Sequence, residues 1–142
     1  MPFPFPAVAS AVRPTVYGYP LRYPTDSEMA FFQRSGVPGY AAEDMAVVLN
    51  PESSLTPDER AALAKNEASR LWMRETGFQP QFTPSAEQVA SFAGTPYATN
   101  KNAMLETLLA RLLSGDPSAG IPSQKMQTEA DAVQRGLNSM AR

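Results

Sequence analysis

Two adjacent carboxylate pairs, Glu43-Asp44 and Asp58-Glu59, are the first groups to test for chemistry, because acid–base catalysis needs carboxyl groups that converge on one bond. Neighbouring positions on a helix point in different directions, so neither pair converges if it is helical. Asp58-Glu59 also sits where a helix begins, and acids there interact favourably with the helix dipole. Neither pair has the spacing of a metal-binding loop. The chain has no histidine and no cysteine, which removes the commonest general base, thiol nucleophiles, disulfides and thiolate metal sites. The remaining nucleophiles are serine and lysine. No Gly-x-Ser-x-Gly, Ser-x-x-Lys or phosphate-binding glycine loop accompanies them. The reading is a non-enzyme that needs no cofactor and no metal.

Trp72 between Arg70 and Arg74 could stack on a nucleotide base. The plainer reading makes it a packing residue, because Trp72 shares a helical face with Ala61, Ala64, Ala68 and Leu71. Small residues on that face admit the close approach of another backbone. Leu63 and Met73 fall on other sides, so this helix should touch neighbours on more than one face.

The strongest deviation from ordinary composition is at the N-terminus. Residues 1–24 hold six of the fourteen prolines together with Phe3, Phe5, Tyr17, Tyr19 and Tyr23. Each proline fixes its own φ and pushes the residue before it towards extended backbone. A flexible linker would favour Gly and Ser instead. This segment reads as an extended arm with aromatic anchors, with Arg13 and Arg22 and no acid. Pro2, Pro4 and Pro6 interrupt the first residues, and no basic stretch precedes them, so a signal peptide is not expected. No apolar run approaches the roughly 20 residues of a membrane span.

Beyond the arm, helix punctuation dominates. Thr25-Asp26-Ser27-Glu28 fits a capping box, and Gly36 a helix stop. Residues 41–49 are expected to form a second short helix ended by Asn50-Pro51. Thr56, Pro57 and Glu59 start a long helix that Gly77 should stop. Thr83-Pro84 is expected to start a shorter one, carrying Val89 and Phe92 and closed by Gly94. Asn100 or Asn102 caps a fifth, whose Met104, Leu105, Leu108, Leu109, Leu112 and Leu113 form the best core candidate. A last helix follows Ser123. Its Met126, Ala130, Val133, Leu137 and Met140 make a narrow seam that should dock on its own chain or on a partner.

The expected architecture is therefore all-α, with five to six helices at residues 25–142 behind an extended arm at residues 1–24. Within it, residues 25–55 should hold short helices and loops, 56–115 the core helices, and 116–142 an amphipathic helix. At 142 residues the chain suits one domain. With 43% hydrophobic residues it can bury a core. The residues expected to bind a partner are Phe3, Phe5, Tyr17, Tyr19, Tyr23, Trp72, Met126, Val133, Leu137 and Met140. Net charge is −2, with the acids concentrated in residues 25–76, which argues against nucleic acid as the main partner.

Three stretches have a family flavour: Leu71-Trp72-Met73-Arg74-Glu75-Thr76-Gly77, Asn100-Lys101-Asn102-Ala103 and Leu113-Ser114-Gly115-Asp116-Pro117. Together they resemble small virion-associated proteins of tailed, short-tailed bacteriophages, found around the head–tail junction or ejection apparatus. The resemblance covers roughly residues 55–142. It implies a structural subunit present in many copies, located in the virion and bound to other virion subunits. Two alternatives are a cytoplasmic adaptor that presents a proline-rich arm to a peptide-binding domain, and a DNA-contacting ejection protein.

Overall fold

Val16-Tyr17-Gly18-Tyr19 turns the chain back on itself through a two-residue loop with positive φ at both central residues, 50° and 84°. Such loops match the natural twist of paired strands. In the computed structural model, which describes residues 14–141, this loop joins β1 (Thr15–Val16) to β2 (Tyr19–Arg22). The second half of the arm is thus a hairpin built into the fold. Tyr19 is only 3% exposed and belongs to the main core.

The hairpin joins a four-stranded mixed sheet of order β1-β2-β4-β3, with β3 at Gly39–Ala41 and β4 at Val47–Leu49. β2 pairs with β4 in parallel, and β3 pairs with β4 antiparallel. The all-α expectation is overturned here, along with the helix expected over residues 41–49. Val47 and Val48 are β-branched and both fully buried, and they project to opposite faces. Val47 enters the main core, while Val48 joins Phe32, Ala42 and Ala46 in a second cluster. Adjacent strand residues point to opposite faces, which sends this pair into two separate clusters. Between the strands, Met45 at φ 65° closes a turn, with the Met45 N–H donating to the Ala42 carbonyl.

Helix α1 (Asp26–Ser35) lies between β2 and β3 in sequence and supplies Phe32 and Met29 to the second cluster. Its boundaries follow local chemistry: Thr25 accepts from the Glu28 N–H, the Glu28 carboxylate accepts from the Thr25 N–H, and Gly36 closes the end in the left-handed region. The same logic bounds α2 (Pro57–Thr76), capped by Thr56 and Glu59 and stopped by Gly77. α3 (Ala86–Ala90) is capped by Ser85 and Gln88, two residues later than expected from Thr83. α4 (Lys101–Leu113) takes Asn100 as its cap, and α5 (Gln124–Met140) takes Ser123.

α2, α4 and α5 pack on one another and form the main core with Val47 and Tyr19. Leu105, Leu108 and Leu109 from α4 meet Met126, Val133 and Leu137 from α5 in it. The α5 seam therefore docks on its own chain. No helix among the described residues is long and apolar enough to cross a membrane.

Several contacts fix the relative positions of these elements. Glu129 is buried on α5, and its carboxylate accepts from the Gln81 and Phe82 N–H groups at 2.8 and 3.1 Å. It tethers the α2–α3 connection. Buried Gln88 donates from Nε2 to the Ala119 carbonyl at 2.9 Å, tying α3 to the loop before α5. Gly18 lies so close to the Met140 carbonyl that a Cβ there would collide with it. The hairpin tip is thereby locked to the end of α5.

Candidate partner-binding groove

Two of the carboxylates singled out by their spacing have clear structural partners. Glu59 completes a helix cap. Asp44 accepts from the Arg22 guanidinium at 2.9 and 3.1 Å, and Glu28 accepts from the same group at 2.7 and 2.9 Å. Arg22 holds Glu28 down to a pKa of about 2, and it lowers Asp44 as well. The Tyr40 hydroxyl also donates to Glu28, and burial followed by that carboxylate pushes the phenol up to about 12. These groups are held in one protonation state across the neutral range, which suits a clamp between β2, α1 and the β3–β4 turn.

A second polar cluster joins α2 to α4. Arg70 donates to Thr107 at 3.0 Å and lies 3.5 Å from Glu67, while Arg74 donates to Glu106 at 3.1 Å. Burial pushes the Glu67 carboxyl upward, opposed by Arg70 and Arg74. Trp72 points elsewhere. Its ring lies 5.7 Å from Phe78 and also abuts Gly136 on α5. The two arginines and the tryptophan therefore do not form a base-stacking surface. Among the described residues, no three carboxylates converge in a way that could hold a metal ion.

The remaining anchors are distributed as follows. Phe3 and Phe5 lie outside the described residues. Met126, Val133 and Leu137 are fully buried in their own core, so those side chains are covered by the chain itself. Tyr19 is buried too, and its hydroxyl donates to Glu75 at 2.7 Å; burial, then that carboxylate, raises its pKa. Met140 and Trp72 pack partly buried against the core. Tyr17 and Tyr23 border open depressions.

The depression beside Tyr17 is a broad, open surface feature. It lies between the hairpin, β4 and the N-terminal half of α2, and encloses about 730 Å³. Val16, Tyr17 and Leu21 of the hairpin and Leu49 of β4 form one wall, and Ala61 and Ala64 of α2 the other. A smaller hollow of about 290 Å³ continues it past Leu21 and Leu49 to Pro14, Tyr23 and Pro51. The cause is visible in α2. The alanine stripe runs from Ala61, which is exposed, through Ala64 to Ala68, which is fully buried. Methyl side chains at its open end do not fill the gap that larger ones would close against Leu21 and Leu49.

Arg60 and Lys65 flank the groove. The Arg60 guanidinium donates to the Asn50 carbonyl at 3.2 Å. Neither cation has an acidic residue three or four positions away on α2, and neither forms an ion pair among the described residues. Arg60, Lys65, Leu21 and Leu49 were not legible as site residues from the sequence. The available signal was a run of alanines between two cations with no acid at helical spacing.

Comparison with protein-family models, curated proteins and solved structures found no match for the chain.

Proposed function

We propose that this chain is a non-enzymatic structural or assembly protein of a bacteriophage virion, acting in the head–tail region. It binds neighbouring subunits through its N-terminal arm and the groove at the base of that arm. One observation carries the reading: an apolar, cation-flanked groove and the hollow beside it extend to Pro14, the first described residue, next to a hairpin built into the core. An apolar groove of this size with few polar groups is suited to grip apolar side chains. Aromatic anchors on an extended segment add affinity without a large folded domain, and repetition over many copies multiplies it.

The test is removal of residues 1–13. Deletion of residues 1–24 would remove Tyr19 and β2 and damage the fold itself. The shorter deletion leaves every described element in place. The truncated chain should keep its circular dichroism and thermal midpoint but be missing from purified particles, as measured by quantitative mass spectrometry. Normal incorporation overturns the proposal.

A further inference from the structure

The groove has a charge character that restricts its occupant. Its walls are apolar, and its two flanking cations, Arg60 and Lys65, lack carboxylate partners among the described residues. Arg22, at the far end, contrasts with them, since Glu28 and Asp44 already neutralise it. Unpaired cations beside an apolar trough complement a ligand that carries apolar side chains and acids together. The chain's own arm is a poor match in charge: residues 1–24 contain no acid and add Arg13 and Arg22. The trough is lined in part by Thr15 and Val16 of β1, an edge strand of the sheet. An edge strand offers main-chain pairing to an extended polypeptide, which a compact ligand cannot use.

We infer that the groove binds an extended, apolar segment bearing carboxylates, contributed by a neighbouring subunit and not by the chain's own arm. This rests on the assembly reading and adds the chemistry of the partner. The arm and the groove then serve different neighbours, so each copy has a donor segment and an acceptor face.

The experiment uses the full chain and two fluorescein-labelled octapeptides in an anisotropy titration. One alternates valine or phenylalanine with aspartate or glutamate; the other carries lysine at every acidic position. The acidic peptide should bind at least tenfold tighter. Lys65→Glu together with Arg60→Gln should weaken it about tenfold, the scale of two partly exposed charge contacts. Ala61→Trp should fill the trough and abolish binding while leaving the thermal midpoint unchanged, because Ala61 is exposed. Raising salt from 50 to 200 mM should weaken binding severalfold.

Equal binding of the two peptides, no binding of either, or indifference to Ala61→Trp would each overturn the inference. So would a tenfold gain in affinity on removing residues 1–13, which would assign the groove to the chain's own arm. The two readings fail separately. A failed titration with normal arm-dependent incorporation removes only the partner chemistry, whereas normal incorporation of the arm-deleted chain removes the assembly reading itself.

Discussion

Replacing Gly136 with alanine should destabilise the protein, although local helix chemistry predicts the opposite. Gly136 lies inside α5, where Gly→Ala ordinarily stabilises by about 1 kcal/mol. Here an added Cβ would fall within the Trp72 indole, 2.7 Å from Nε1 and closer still to two ring carbons. The indole is already packed on Phe78 and cannot simply slide away. Relief requires a shift of the ring or of α5, whose Val133 and Leu137 are fully buried. Overpacking costs about 1–3 kcal/mol, and a Cβ this deep inside a ring belongs at the upper end, about 2–3 kcal/mol. After subtracting the helix gain, the expected net loss is about 1–2 kcal/mol, or roughly 2–8 °C in thermal midpoint. Urea unfolding followed by far-ultraviolet circular dichroism and by Trp72 emission, the only tryptophan signal, measures it. In a Trp72→Ala background the same change should become neutral or stabilising. If Gly136→Ala stabilises the wild-type chain by about 1 kcal/mol, the α2–α5 packing described here is incorrect.

Other perturbations probe different joints. Deleting residues 1–24, unlike 1–13, should lower the thermal midpoint by about 10 °C or more, because it removes β1, β2 and the buried Tyr19; an unchanged midpoint would show that the hairpin is dispensable. Glu28 has its pKa lowered from near 4.5 to about 2, so its pairing contributes fully above pH 4.5 and is lost as pH falls towards 2. Allowing for solvent access, that contribution is about 1–3 kcal/mol, and Glu28→Gln should flatten the stability profile across that window in equilibrium unfolding. Glu129→Ala should cost about 2–3 kcal/mol in the same assay, because it leaves the Gln81 and Phe82 N–H groups without their acceptor; a loss below 0.5 kcal/mol would mean that water replaces the carboxylate.

What could be read from the sequence was whatever is decided within a few residues. The caps at Thr25, Thr56, Asn100 and Ser123 and the stops at Gly36 and Gly77 each satisfy backbone groups locally, and the helices begin and end where those residues stand. The leucine face of α4 and the seam of α5 also show in the spacing, because a helix of three or more turns repeats its signal. The sheet does not repeat. Its strands are two to four residues long, and its parallel β2–β4 pair joins residues about 26 apart in sequence. Val47-Val48 was the one local clue against a helix, and it competed with the helix-favouring alanines and methionine around it. Tyr17-Gly18 is also a weak hairpin signal, because Tyr17 must adopt a positive φ that tyrosine seldom takes. The alanine stripe of α2 was visible from the start. That its Ala68 end is buried while its Ala61 end opens into a groove depends on how far Leu21 and Leu49 reach, which is a property of the sheet.

The most direct test of the assembly reading places the groove variant in particles. The full-length chain carrying Ala61→Trp would be supplied as the only copy during particle assembly, and its abundance in purified particles would be measured by quantitative mass spectrometry against the wild-type chain. The account predicts a soluble, normally folded protein that is depleted from particles about tenfold or more. Wild-type abundance of the folded variant would contradict it.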